Sequence, residues 1–154
     1  MPDPRKKLVR QKATEISQAL VAGNFATVVQ LTYPKVVEMT GGGDKMIALL
    51  QTGMQKMKGN GVEITNLKVG TPSELHTAGA DLFAIVPTAI ELKVPGGKLT
   101  QKSFVVGISP DAGETWLFAD GNGLSADKVK TVFPNFPDSL PLPAPQPAAF
   151  KATP

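Results

Sequence analysis

The residues with the clearest chemical pattern lie between two strand-like segments, in the order S-x-D-x-G-x-T-W. They are Ser109, Asp111, Gly113, Thr115 and Trp116. Serine and aspartate oxygens at this spacing can accept hydrogen bonds from the backbone N–H groups of a tight turn. Gly113 can adopt the positive φ that such a turn requires. We therefore interpret the motif as a hairpin turn stabilised by its own side chains, in preference to the alternative of a sugar site.

The motif resembles the Asp-box, a hairpin motif of sialidase propellers, at all five of its motif positions. In propellers the box recurs once in each blade, and several blades are needed to close the ring. It occurs once in these 154 residues, so we exclude a propeller. The flanking segments, Thr100–Ser109 and Thr115–Asp120, are rich in the β-branched and aromatic residues that form strands. We expect Trp116 and Phe118 to share one strand face and to fix the hairpin onto the core.

Two further polar segments match phosphate-binding and calcium-binding motifs only in part. The glycines at Gly41–Gly43 precede a predicted helix, but Asp44–Met46 follow them instead of the Gly-Lys-Ser/Thr ending of a P-loop. The carboxylate of Asp44 would also repel a phosphate, so we interpret the glycines as a flexible connection. Asp120 and Asn122 have the spacing that opens a calcium loop, but no glutamate closes it. We expect no cofactor and no metal ion.

The composition is that of an ordinary globular domain with a mild basic excess. There are 16 lysine and arginine residues against 13 aspartate and glutamate residues, and the lack of cysteine excludes disulfides and thiolate sites. The cations cluster near the N-terminus without interleaved aromatic residues, which favours a solvated helix face over a nucleic-acid or membrane-binding surface. No apolar run approaches the roughly 20 residues of a membrane span. The first residues also lack the apolar segment of a signal peptide. We expect a soluble protein without nucleic-acid or membrane partners, either cytoplasmic or exported after a signal peptide is trimmed.

The N-terminal part of the chain predicts three helices and one short strand. The first helix starts at Pro4, a residue suited to the first helical position, and ends at the stop signal of Gly23. A short second helix ends before Pro34, because proline disfavours the helical conformation in the residue that precedes it. The β-branched segment Lys35–Met39 predicts a strand, and a long amphipathic helix is predicted over Asp44–Lys58.

The C-terminal part predicts strands followed by a proline-rich tail. From Val62 onward apolar residues alternate with polar ones, which is the pattern of half-buried strands. Asp81–Val94 predicts one long strand in which Pro87 marks an edge position or a bulge, because proline cannot donate a ladder hydrogen bond. We place a single domain at residues 1–142 and a disordered tail at residues 143–154, where prolines are dense.

Helices first and strands after them predict an α+β fold, with three N-terminal helices packed on a curved antiparallel sheet of four to six strands. This order of elements resembles the NTF2-like superfamily, the cone-shaped fold shared by nuclear transport factor 2, ketosteroid isomerase and polyketide cyclases. The segments that carry the resemblance are Gly23–Phe25, Tyr33–Met39 and Val62–Asp120, within a span from Arg5 to Leu142. The resemblance implies a helical layer over a curved sheet that surrounds the interior of the cone.

Eight residues are candidates for lining an apolar pocket inside this cone. They are Tyr33, Met46, Leu50, Met54, Phe104, Trp116, Phe118 and Asp120. The methionines and the leucine recur on one stripe of the long helix, and we expect that stripe to face the strands. The phenylalanines and the tryptophan lie on the hairpin strands, and the tyrosine would supply a polar handle at the mouth. The alternative is that these side chains meet and fill the space, as core side chains do.

Two functions of different class remain open. The first is a non-catalytic NTF2-like module that binds a small apolar ligand or another protein and pairs as a homodimer through its sheet. The second is an isomerase- or cyclase-like enzyme with Tyr33 as donor and Asp120 as base, although these positions do not match the acid–base residues of ketosteroid isomerase. A buried carboxylate within hydrogen-bond reach of Tyr33 would favour the enzyme, and a dry cavity without one would favour the binding module.

Overall fold

The computed structural model describes residues 4–121, 126–137, 140, 142–143 and 148–152. Within these residues, helices pack against one antiparallel sheet of six strands. In chain order the elements are α1 (Pro4–Ala22), α2 (Phe25–Leu31), α3 (Pro34–Met39), α4 (Gly43–Gly59), β1 (Glu63–Val69), β2 (His76–Ala78), β3 (Asp81–Val94), β4 (Gly97–Ser109), β5 (Leu117–Asp120), α5 (Ala126–Val132) and β6 (Ala149–Ala152). The predicted α+β class, with helices on an antiparallel sheet, is therefore confirmed.

The helices α1 and α4 begin and end close to the residues that the sequence signals indicated. α1 starts at Pro4 and is followed by Gly23 at a φ of +78°, whose N–H donates to the Leu20 carbonyl. α4 extends one residue beyond its predicted range at each end, to Gly43 and Gly59. None of the helices in the described part of the chain is long and apolar enough to cross a membrane.

The segment Lys35–Met39 is helical, so the prediction of a strand here is wrong and the N-terminal part has four helices. Pro34 occupies the first turn of α3, where its missing N–H costs nothing because the first helical N–H groups have no partner within the helix. The N–H groups of Val36 and Val37 donate to the Tyr33 carbonyl. The proline therefore ends α2 and also starts α3, and this local geometry outweighs the strand preference of two adjacent valines.

The sheet is built around the long hairpin of β3 and β4. Its strand order is β1-β3-β4-β5, with β2 also pairing with β3 and β6 also pairing with β4. The β3–β4 register runs without interruption from Leu82 opposite Ser109 to Val94 opposite Gly97. Pro87 causes no bulge in β3. The pairing of β1 with β3 ends at Val69 opposite Thr88, so no residue of β1 needs the N–H group that Pro87 lacks.

Both faces of the sheet are buried where β3, β4 and β5 lie side by side, because alternate residues of a strand point to opposite faces. On one face, the α1 cluster consists of Val9, Ala13, Leu82, Ala84, Val86, Trp116 and Phe118. On the other face, the C-terminal cluster consists of Phe83, Ile85, Phe104, Val106, Ile108, Ala119, Val129, Val132, Phe133, Phe136 and Leu140. A smaller helical cluster consists of Ala19, Phe25 and Val28, with Ile47, Leu50 and Met54 among the residues packed against it.

The C-terminal part of the chain covers the sheet and also adds a strand to it. Phe133 and Phe136 follow α5 and stack in edge-to-face contacts on Phe83 of β3, with ring centroids 5.5 and 5.3 Å apart. Ala149–Ala152 forms β6 on the edge of β4, so these four residues are ordered and the expectation of disorder is wrong for them. The remaining residues of the 143–154 tail lie largely outside the described part of the chain.

Candidate functional site

The turn between β4 and β5 is held by hydrogen bonds from its own side chains. The Ser109 hydroxyl donates to Asp111 Oδ1 at 2.9 Å and accepts from the Gly113 N–H at 2.7 Å. The same carboxylate oxygen accepts from the Thr115 N–H at 2.8 Å. Trp116 closes the turn by donating its indole N–H to the Gly113 carbonyl at 3.2 Å. The hydrogen bonds predicted for this turn are therefore present.

The electrostatics of this turn also point to a structural role. Hydrogen bonds from Thr115, first through its side chain and then through its backbone, lower the pKa of Asp111 below its usual value of 3.8 because they favour the carboxylate. The Ser109 hydroxyl acts in the same direction. Because one carboxylate oxygen already accepts two hydrogen bonds within the turn, we assign the motif to stabilising the hairpin.

The aromatic pocket candidates lie on opposite faces of the sheet. Phe118 pairs with Gly107, and Phe104 precedes Gly107 by an odd number of residues, which places the two phenylalanines on opposite faces. Trp116 and Phe118 are in the α1 cluster, as their predicted shared face requires, whereas Phe104 is in the C-terminal cluster. The expectation that these three rings line one cavity is wrong, because the β4–β5 register separates them by the thickness of the sheet.

The pocket candidates on α4 are likewise separate from the strands. Leu50 and Met54 pack against the helical cluster of α1 and α2 rather than against the sheet. Met46 is half-buried on the same helix, and no residue of α4 is fully buried. The expectation that this stripe faces the strands is wrong, because α1 and not α4 is the helix that packs on the sheet. The eight candidates therefore do not meet in one cavity.

The two candidate catalytic residues, Tyr33 and Asp120, also lie on different sides of β5. The ring of Tyr33 packs on Phe133 with centroids 4.8 Å apart, at the edge of the C-terminal cluster. Asp120 is exposed at the end of β5. It lies two positions after Phe118 in the same strand, so its side chain points to the same face as Phe118, towards α1. Of the two candidates, Asp120 is therefore not a buried carboxylate directed at the Tyr33 hydroxyl.

The polar side chains in the described ranges contain no cluster of three or more histidine, aspartate or glutamate residues that could hold a metal ion. Within the same ranges, every buried side-chain nitrogen or oxygen has a hydrogen-bond partner. Asn122, from the partial calcium-loop motif, lies outside the described residues.

The distal part of the sheet, beyond Pro87, presents one apolar face. Cross-strand partners point to the same face, and the registers place Leu92 opposite both Ile64 and Leu99, and Leu99 opposite Phe150. We call this surface the distal apolar face; it consists of Ile64, Leu67, Ile90, Leu92, Val94, Leu99 and Phe150. Phe150 is 58% exposed and the other six are partly exposed.

The reverse side of the same strands is charged. It carries Glu63, Lys68, Glu91, Lys93, Lys98 and Lys102. Lys68 Nζ and Glu91 Oε1 form an ion pair at 3.4 Å on this side. Antiparallel sheets with one solvated face bury the other, yet among the described residues none of the seven apolar side chains packs against one of the three buried clusters. The distal apolar face is therefore the candidate binding surface of this protein.

A groove of about 630 Å³ between α1 and β1 leads onto the distal apolar face. Leu67 and Val69 form its apolar side, and polar and charged residues of α1 form the other. Arg10 crosses the groove and donates to the Val69 carbonyl at 3.3 Å. Sequence reasoning missed this surface, because alternation along β1 and β3 predicts a two-faced sheet without revealing whether a helix covers the apolar side.

Comparison with known proteins does not assign the chain to a family. No protein-family profile and no curated protein matches it. Among solved structures it is similar to one described as "Structure of an M.tuberculosis LEH-like epoxide hydrolase". The two chains share 22% identity over 80% of this chain and 94% of the other, with a TM-score of 0.35. A likeness this weak carries no argument about activity.

Proposed function

We propose that this protein is a non-catalytic binding module whose binding surface is the distal apolar face. The observation that carries the proposal is the two-sided pattern of the distal sheet, with seven partly exposed apolar side chains on one face and charged side chains on the other. Covering such a face is favourable, because roughly 25 cal/mol is gained for each Å² of apolar surface removed from water. Exposed apolar patches rimmed by polar groups mark binding sites on folded proteins.

The covering partner belongs to one of two classes, a small apolar ligand or another protein, which includes a second copy of this chain. The groove beside β1 supports the ligand class through its apolar side, Leu67 and Val69, which adjoins the distal apolar face, although the groove is open to solvent and its other side is polar. The extent of the distal apolar face over β1, β3, β4 and β6 supports the protein class, because an apolar sheet face is buried by packing against another sheet or a helix. A partner of either class would contact the side chains of the distal apolar face.

Contacts within the protein also support a role without nucleic acid. Three of the clustered N-terminal cations are engaged by the protein itself: Lys6 with Glu74, Lys12 with Glu15, and Arg10 with a backbone carbonyl. These contacts occupy cationic groups that would otherwise be available to bind the phosphates of a nucleic acid. The isomerase- or cyclase-like alternative is not favoured, because Tyr33 and Asp120 lie on different sides of β5.

A pair of neighbouring substitutions on β3 tests the proposal. Leu92→Gln places a polar group in the distal apolar face, whereas Glu91→Gln changes the charged side of the same strand and serves as the matched control. We expect at least one compound in a panel of steroid-like, fatty and aromatic molecules to raise the melting temperature of the wild type and of Glu91→Gln, but not of Leu92→Gln. A ligand present at 100 times its Kd adds about 2.7 kcal/mol of stability.

If no compound stabilises the wild type, the protein class is measured by sedimentation of the same three proteins over a range of concentrations. Self-association that Leu92→Gln abolishes and Glu91→Gln preserves would support a second copy as the partner. Compound binding or self-association that is equal in all three proteins would contradict the proposal, because it would not depend on the distal apolar face.

A further inference from the structure

The groove between α1 and β1 has one cationic side and one apolar side. Lys7 and Arg10 line it from α1, where residues three positions apart lie on the same helix face. Leu67 and Val69 line it from β1, where residues two positions apart point to the same side of the strand. The groove is open to solvent, so a bound molecule can extend from it onto the distal apolar face, to which Leu67 belongs.

The cations that line this groove have unused hydrogen-bond donors. The Arg10 guanidinium uses one N–H for the Val69 carbonyl, and a guanidinium carries several others. Within the described part of the chain, the Lys7 ammonium makes no hydrogen bond or ion pair. Among the described lining residues Glu15 is the one carboxylate, and its Oε2 accepts a hydrogen bond from Lys12 at 3.3 Å. The groove therefore favours a negatively charged group near Lys7 and Arg10.

The apolar side of the groove leads away from these cations. The Val69 carbonyl, which binds Arg10, belongs to the last residue of β1, and Leu67 and Ile64 lie progressively farther back along the strand. The register of β1 with β3 places both of these side chains on the distal apolar face. At about 3.3 Å per residue, Ile64 is on the order of 15 Å from Val69. A cationic end and an apolar path of this length fit a molecule with an anionic head and a hydrocarbon tail.

We propose that the groove and the distal apolar face together bind a single-chain amphiphile with an anionic head, such as a fatty acid. Lys7 and Arg10 bind the head, because hydrogen bonds from ammonium and guanidinium groups to an anion are stronger than those between neutral groups. The hydrocarbon tail passes over Leu67 and covers the apolar side chains of β1 and β3. The inference rests on the proposed function and names the chemical class of its small ligand.

Isothermal titration calorimetry of the full chain with decanoate and decanol tests the inference, because these two probes share one chain and differ in the charge of the head. Both are kept below the concentrations at which they aggregate. We expect decanoate to bind about fivefold more tightly, which is the gain expected from two exposed ion pairs. This preference should shrink at high salt, since Lys7 and Arg10 are exposed. Decyl phosphate is compared in the same way, and the tighter of the two anions identifies the head.

A double variant with Lys7→Gln and Arg10→Gln tests the head site. It is expected to bind decanoate about fivefold more weakly than the wild type does, and decanol equally well. Lys45→Gln combined with Lys56→Gln serves as the matched control, because it removes the same charge from exposed positions of α4. Melting curves establish that both double variants are folded. Leu92→Gln is expected to weaken the binding of both probes, because it places a polar group beneath the tail.

Equal affinity of the wild type for decanoate and decanol would overturn the inference, as would decanoate binding that the double variant of α1 retains in full. Binding to vesicles of anionic lipid without binding of monomeric decanoate would assign the cations to a membrane surface and overturn the amphiphile as the occupant. If no anionic amphiphile binds while Leu92→Gln still differs from Glu91→Gln in binding uncharged compounds or in self-association, the inference fails and the proposed function stands. Failure of both experiments would remove both.

Discussion

Gly113 shows how one residue determines the conformation of the β4–β5 turn. Its φ is +95° and it follows Ala112 at +62°, so the chain passes through the left-handed region at two successive residues. That conformation costs a residue with a side chain roughly 1–2 kcal/mol, whereas glycine adopts it freely. Gly113 is also buried beneath Arg5, whose Cδ would lie 2.6 Å from a Cβ at this position. The turn thus joins the hairpin to the start of α1.

Gly113→Ala is expected to lower the free energy of unfolding by about 1–2 kcal/mol, because alanine is strained at positive φ. The same substitution at Gly53, in the middle of α4 with open space around its Cβ position, is expected to raise it by about 0.5–1 kcal/mol. Urea denaturation of the two variants measures both values. Changes of the same sign in both would contradict the assignment of Gly113 to a strained turn.

Asp111 is expected to make the stability of the protein depend on pH in the acidic range. Its pKa is lowered in the folded state, so its contribution is complete above its usual value of 3.8 and is lost as the pH falls through the lower folded value. Wild type should therefore be more stable than Asp111→Asn from pH 7 to about pH 5, and the difference should shrink below about pH 4. Urea denaturation at several pH values measures this difference. A pH-independent difference would show that the carboxylate charge is not the stabilising feature.

At the scale of elements, the C-terminal segments contribute to the fold unequally. Phe136 is 6% and Leu140 is 4% exposed, both in the C-terminal cluster, whereas every residue of β6 is exposed. Large buried side chains stabilise a core by several kcal/mol each when their removal leaves a cavity. A short exposed strand adds little beyond its ladder hydrogen bonds.

Two truncations test this difference. Removal of residues 144–154, which contain β6, is expected to lower the free energy of unfolding by less than about 1 kcal/mol. Removal of residues 134–154 is expected to cost on the order of 5 kcal/mol, since it also removes two buried side chains. If the longer truncation does not fold, Phe136→Ala in the full chain should cost about 3–5 kcal/mol. Equal denaturation curves for the two truncations would place the end of the ordered core before Pro134.

At the scale of the whole molecule, the sheet is asymmetric along its length. Where β3, β4 and β5 meet, α1 covers one face and the C-terminal segment covers the other, so that Leu82 to Val86 are all buried. Beyond Pro87 one face is charged and solvated while the other remains apolar and partly exposed. This asymmetry separates a stable core from a surface available for binding, which is the basis of the proposed function.

Sequence reasoning was accurate where structure depends on nearby residues. The bounds of β3, the start of α1 at Pro4 and the hydrogen bonds of the turn at Ser109 were predicted correctly, because proline, glycine and short polar side chains act on their own backbone. The strand predicted at Lys35–Met39 was wrong for a local reason as well, since the effect of Pro34 at a helix start was overlooked.

The amino-acid sequence by itself therefore determined the class of fold, most element boundaries and the chemistry of the β4–β5 turn. Only the tertiary structure decided which side chains meet. Phe104 and Phe118 lie on opposite faces because the register of β4 with β5 pairs Phe118 with Gly107, and a shift of one residue would reverse this. The pairing of β6 with Gly97 joins residues more than fifty positions apart, and such contacts depend on packing that no local pattern encodes.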